Sequence, residues 1–572
     1  MGFRAAAARR AARWTLAAFV AVIVVVPALP SAAAGGGQPS DPALGATIVR
    51  LPFPQEDGSL TPYTFELGYS LVTLVYDTLL WRDEDGAPQP LLAKAVETSP
   101  DGRRLTIRLA DGARWHDGVP VTSADVAFTL QFVGSHAHPR FTPQVASIER
   151  VDTPDPATAV VTLRHPSLGF VDQPLADVPI LPQHLWRNLP AGRLAPEGNP
   201  VGSGPYRLVE HRPGERYRFE ANAEWFRGAP PVKAIEVPII TDAEQTFNAL
   251  ERRLVDMIPV SLPEGVDDRL RRLGTRVVRG TSYVGTALLL NTRRPPFDRI
   301  EVRQAVARSL DLTRVARLVD NVVAAERGYL HPESPWAPDQ PMQQFDVGTA
   351  RAGLTGLNLP PIVVLAPDND PVKVETARQV ALALERGGVK AASKPITRDE
   401  LSRALGEDGG TPTFEAAIGA IPPLASYDPD FLRSLFGSVT GPAAVLNVTG
   451  YRSAAFDQLA DRIATTSDAA ARKAAVGEAL RLLAADAPAV PLFFTEGAYV
   501  YRPAIFDGWV FVKGTGILNK HSFVEPRQRA AGQDPLGDGT SDTPRSFPLW
   551  PVAVAFFGVG LVLAVVALAS RR

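Results

Sequence analysis

An α/β fold is predicted for this chain, and three observations predict it. Short alternating or wholly apolar runs recur between Gly- and Pro-rich turns, as strands do. Longer runs with helical spacing start at capping residues. Around residues 362–388 the two kinds alternate, as they do in a βαβ unit. With 572 residues the chain also exceeds what one core can organise, so two or three domains are expected.

The elements follow in order. Residues 46–53 begin the body as a strand. Leu105 to Leu109 alternates apolar and polar side chains. Thr122 with Asp125 three positions on reads as a capped helix start, followed by Val126, Phe128 and Leu130. Val160 to Leu163 is a strand. Val302 to Val319 has the apolar spacing of one long helix. Ile362 to Ala366 is a buried type of strand, and Val374 to Arg386 a helix stopped by Gly387 and Gly388. Ala469 to Ala485 is a helix, and Val490 to Phe494 a strand after the breaker Pro488. Ser99-Pro-Asp-Gly, Ala110-Asp-Gly and Trp115-His-Asp-Gly supply turns.

Both ends of the chain are apolar. Trp14 to Pro30 follows Arg4, Arg9, Arg10 and Arg13 and leads to Ala32-Ala33-Ala34, the pattern of a secretory signal cleaved near residue 34. An uncleaved signal anchor is the alternative, opposed by Pro27 and Pro30. Phe547 to Ser570 is uncharged and long enough to span a ~30 Å hydrocarbon layer. Arg571 and Arg572 behind it favour the cytoplasmic side. Residues 35–45 read as a spacer and 527–546 as a flexible stalk. The expected location is the outer face of the cytoplasmic membrane, tethered by a C-terminal transmembrane helix. Net charge is −2, which gives no electrostatic case for nucleic acid. Cysteine is absent, which removes disulfides, thiol nucleophiles and lipidation at a cysteine.

Little points to catalysis. Of eight histidines only His136 and His138 stand close, and they read as a solvated loop rather than a metal site. No nucleophile elbow, phosphate loop or metalloprotease motif is present. No enzyme activity, catalytic residue, metal or cofactor is expected.

Several motifs fall in one order. Residues 115–126 read WHDGVPVTSADV, 200–206 PVGSGPY, 295–298 PPFD, 302–305 VRQA and 427–436 YDPDFLRSLF. This series resembles the family 5 extracellular solute-binding proteins of peptide- and nickel-type ABC importers. The resemblance implies a two-lobed, periplasmic-binding-protein-like fold of type II over residues 46–526. Lobe one would take 46–75, 195–280 and 490–525, an extra subdomain 76–194, and lobe two 281–489. It also implies that a solute, peptide-like or otherwise elongated, is enclosed between the lobes and passed to ABC permease subunits by a monomeric protein. The alternative is a membrane-anchored surface sensor or adhesion protein on the same fold.

Trp115, Asp117, Gly118, Gly202, Gly204 and Pro205 read as turn builders, and Arg303 as a partner of backbone carbonyls, with Asp298 capping the helix after it. The candidate ligand residues are Tyr63, Tyr283, Tyr427 and Asp428. Aromatic faces suit an enclosed site, and Asp428 would anchor a ligand cation. Asp428 has a second reading, as the cap of a helix Pro429 to Phe436 entered through Asp-Pro. Peptide-binding relatives carry an acidic residue a few positions before the Asp-Pro pair, but Leu424, Ala425 and Ser426 supply no carboxylate. A free peptide amino group therefore lacks its usual partner.

Overall fold

The computed structural model describes residues 48–525 apart from 66, 139, 260–269, 271–272, 318, 320–321, 343, 407–409 and 439–445. The leader, the spacer, the stalk and the apolar segment 547–570 lie outside the described residues. Among the described residues no helix is long and apolar enough to cross a membrane.

The chain is α/β, built on three main sheets among the described residues. In the first, Ile48–Arg50 runs parallel to Ala234–Pro238, which pairs antiparallel with Arg216–Ala221 and through it with Tyr206–Arg212. The second has the order Ala93–Thr98, Arg104–Leu109, Thr158–Leu163, Ile148–Asp155 and is antiparallel throughout. Its first two strands meet at the predicted Ser99 turn, where Gly102 takes φ 66° and donates to the Ser99 carbonyl at 2.8 Å. The helix Ser123–Ser135 covers this sheet, and its start is the expected capping box of Thr122 and Asp125. One large core cluster joins both sheets with Phe506, Trp509 and Phe523 of the C-terminal stretch.

The third sheet runs from one lobe into the other, and its far end, in lobe two, is the parallel part. Ile362–Pro367 and Ala391–Ile396 are parallel and linked by the helix Pro371–Arg386, the βαβ unit read from the sequence. Asp370 starts that helix by accepting from the Lys373 N–H at 3.0 Å, and Pro371 occupies its first turn. Gly388, at φ 94°, turns the chain away after it. Val380 and Leu384 are fully buried beneath it, each worth about 1.5–3 kcal/mol of burial.

Two long strands, Arg276–Leu290 and Ala489–Tyr501, connect the lobes. They pair from Arg276 opposite Tyr501 to Leu289 opposite Ala489. Val278, Tyr499 and Tyr501 pack in the first lobe's core, whereas Leu288, Leu290, Val490 and Leu492 pack in the second's. Between the halves the register breaks, from Thr281 to Gly285, and Tyr283 in the break has φ 60°. A left-handed backbone is costly for a residue with a side chain.

Two expectations change. Val302 to Val319 is not one helix but two, Ile300–Arg308 and Leu312–Ala316. The carboxylate of Asp311 accepts from the Arg314 N–H at 3.0 Å and starts a new helix where spacing alone predicts continuity. Arg299, not Asp298, stands before the first of them, and it makes no side-chain cap. Arg303 donates to the carbonyls of Asp486 and Phe297, both at 2.8 Å, as expected.

Candidate functional site

A cavity of about 90 Å³ lies between the lobes. Lobe one and its subdomain contribute Tyr69, Arg82, Arg140 and Asp177; the C-terminal stretch contributes Thr515 and Lys520; lobe two contributes Pro423 and Tyr427. The helix Tyr69–Val75 and the hairpin of Leu80–Arg82 with Pro88–Pro90 hold the first wall.

The cavity is rich in charge, and the charge is paired. Arg140 and Asp177 form a buried bridge, with Nε to Oδ2 at 2.8 Å, and the Gln144 amide donates to the same carboxylate at 2.7 Å. Burial pulls the Arg140 pKa down, but Asp177 outweighs it and leaves it above the usual value. Lys520 pairs with Asp77 and donates to the Tyr76 carbonyl at 3.0 Å. Burial lowers its pKa despite that partner. Arg82 donates to the carbonyls of Gly86 and Asp172 and lies 3.8 Å over the Tyr427 ring. Of these acids only Asp177 reaches the cavity wall, against the cations Arg82, Arg140 and Lys520.

The four predicted ligand residues are placed differently. Tyr427 lines the cavity, with its hydroxyl on the Lys513 carbonyl at 2.5 Å. Tyr283 stands behind it, ring to ring at 5.4 Å, and is 2 % exposed. Tyr63 is buried in the subdomain. It donates to the His136 carbonyl at 3.1 Å and meets the rings of Phe132 and His138. Asp428 is fully buried and does not line the cavity. Both of its carboxylate oxygens lie 2.9 Å from Nη2 of Arg472. One of them also accepts from the Asp430 N–H at 2.8 Å, capping the short 3₁₀ turn Pro429–Phe431 that leads into the helix Leu432–Phe436. The geometry thus matches the capping reading of Asp428 and adds an ion pair to it.

His138 also departs from the sequence reading. It is buried, stacked on Phe141 at 4.3 Å, and accepts from the Arg140 N–H at 3.2 Å. Burial pulls its pKa down to about 3, so it is a neutral core group rather than a solvated one. Sequence reasoning missed Arg82, Arg140, Asp177 and Lys520. Arg140 had one signal, a charged residue just past the His pair; the others sit in stretches without a motif.

The comparisons agree with this architecture. Residues 87–441 match the family model for bacterial extracellular solute-binding proteins, family 5. A putative ABC transporter peptide-binding protein of Brucella ovis is 26% identical over 373 residues, covering 62% of this chain and 69% of that one. Protein XP55 of Streptomyces lividans is 24% identical over 462 residues, 76% of this chain and 80% of that one. Among solved structures, AgaA of A. tumefaciens R10, in complex with agropinic acid, gives a TM-score of 0.71 at 22% identity, over 83% of this chain and 96% of its own. The oligopeptide-binding protein AppA of Bacillus subtilis, in complex with a nonapeptide, gives 0.68 at 19% identity, over 80% and 94%. These likenesses carry the two-lobed fold. The family is one of binding proteins and not of enzymes. The chain belongs to the family 5 bacterial extracellular solute-binding proteins.

Proposed function

We propose that this protein is the capture component of an ABC importer, taking an organic solute into the cavity between its lobes and delivering it to a permease. The observation that carries this reading is a cavity walled by both lobes and lined with polar and aromatic groups. Each cation on its wall has an acidic neighbour: Asp177 for Arg140, Asp77 for Lys520 and, at 3.8 Å, Asp172 for Arg82. The longest of these pairs is the one at Arg82, and a solute carboxylate would compete with Asp172 there. A peptide-like solute fits this through its carboxyl end, without the missing partner for an amino group. At about 90 Å³ the cavity is smaller than the ~150 Å³ that holds benzene, so loading requires the lobes to part.

Mass spectrometry of the solute released from the purified full chain identifies the ligand. Calorimetric titration with that compound then tests the contact. Arg82→Gln should weaken binding by about 1.5–3 kcal/mol, the range for a hydrogen bond to a charged group. Affinity unchanged in Arg82→Gln would remove the carboxylate contact from the reading. A full chain that carries and binds no solute would favour the sensor or adhesion alternative.

The reading includes a tether at residues 547–570. A chain ending at Pro526 should leave the membrane fraction and appear in the medium, because the truncation removes no residue of the described cores. Retention of that shortened chain at the membrane would place the attachment elsewhere.

A further inference from the structure

Tyr427 reaches out of lobe two into a slot of lobe one. Gly86, at φ 86° in the hairpin between Leu80–Arg82 and Pro88–Pro90, forms one wall. Gly514, at φ 78° in the C-terminal stretch, forms the other. A Cβ on Gly86 would lie 2.8 Å from Cε1 of Tyr427, and one on Gly514 would lie 2.5 Å from its Cζ. Real Cβ atoms essentially never approach so closely. The slot therefore exists because both residues are glycine, and each also needs the left-handed backbone that glycine permits.

The rest of the slot is complementary to a phenol. The Arg82 guanidinium covers the ring at 3.8 Å. The hydroxyl donates to the Lys513 carbonyl and lies 3.2 Å from the Thr515 hydroxyl. The walls are braced together. The Lys513 N–H donates to the Glu84 carbonyl at 3.0 Å, and its ammonium lies 3.2 Å from Asp85. The Gly514 N–H donates to the Thr281 carbonyl at 2.8 Å, at the edge of the register break where the connecting strands change lobe.

The geometry points to Gly86 and Gly514 as positioning residues for lobe closure: they form a slot in lobe one that receives Tyr427 of lobe two, so that the protein closes on its own aromatic side chain whether or not solute is present. The ring, the cation over it and the hydroxyl contact all come from this chain. Closure then has a favourable contribution that is independent of the solute, and the solute-free protein populates the closed form. The inference rests on the two-lobed fold and not on which solute binds.

The absence of cysteine allows a direct test. Glu220→Cys in lobe one and Glu385→Cys in lobe two, both at exposed positions, place one spin label on each lobe of the full chain in detergent. Pulsed electron resonance then reads the interlobe distance in protein freed of solute. The otherwise native chain should show a dominant short distance. Tyr427→Ala should reduce the ratio of short to long populations about tenfold, the combined loss of a hydrogen bond and a cation–π contact. Tyr427→Phe should fall between the two. Gly514→Ala, where the clash acts from the other side, should match Tyr427→Ala; if strain keeps it from folding, Tyr427→Ala still decides. An unchanged distribution in Tyr427→Ala, or a solute-free native chain showing only the long distance, would overturn the inference.

Discussion

Asp428→Asn is expected to lower the unfolding free energy by about 3–5 kcal/mol, the cost of breaking a buried ion pair from one side. Arg472 is the reason. Its side chain is 5% exposed and lies 4.5 Å over the Trp336 ring, with Nε donating to the Ile463 carbonyl at 2.8 Å. Asp428 supplies the opposing charge, and asparagine would leave a buried guanidinium without it. A residue acting only as a cap would behave otherwise, because asparagine caps nearly as well as aspartate and the loss would stay below about 1 kcal/mol. Chemical denaturation separates the two outcomes. Replacing both partners, as in Asp428→Asn with Arg472→Met, should recover part of the loss, since no unpaired charge then remains. Solute affinity at a temperature where the variant is folded should be unchanged.

Gly202→Ala should be at least as damaging, costing more than about 4 kcal/mol and giving little soluble protein. A Cβ there would stand 2.6 Å from the carbonyl carbon of Val75 and closer still to its oxygen. That carbonyl is fixed from the other side, because it accepts from the Gly204 N–H at 2.7 Å. The Gly202 carbonyl in turn accepts from the His116 N–H at 2.7 Å, and the His116 ring lies 3.0 Å from the Gly204 carbonyl. Helix end, glycine loop and histidine turn are packed backbone to backbone, and none can give way. Gly348→Ala is the contrasting control. It lies inside the helix Val347–Leu354, where a Cβ meets nothing nearer than 3.4 Å, so the change should be neutral or stabilising by up to about 1 kcal/mol. Solubility and denaturant midpoints of the two variants test the contrast.

These two sites show what the sequence made legible. Features set by neighbours in the chain were readable: the Thr122–Asp125 capping box, the Ser99 turn and the Asp-Pro entry at residue 428 all form as local chemistry requires. So was the need for glycine at 202 and 204, although not its cause, which is a helix end more than a hundred residues earlier. The candidate site was mostly hidden. Arg82, Arg140, Asp177 and Lys520 come from four separate stretches, and only folding brings their charges to one cavity. Of the tyrosines chosen for their aromatic faces, Tyr427 reaches that cavity and Tyr63 packs in a core. Side-chain type cannot distinguish those fates. The break at Asp311 was hidden for a milder reason: one carboxylate decides whether a helix continues or restarts, and apolar spacing is blind to it.

The two connecting strands have a mechanical consequence. Val49, at the start of the described chain, and Phe523, near its end, sit in the same core cluster. Glu525 is clamped to Arg227 at 3.0 Å on that lobe as well. Any load applied through the residues that follow Glu525 therefore falls on lobe one, while lobe two hangs from it by one two-stranded β-ribbon with a break in the middle. Lobe one is the handle and lobe two the jaw. A partner that grips lobe two can swing it without working against whatever holds the handle.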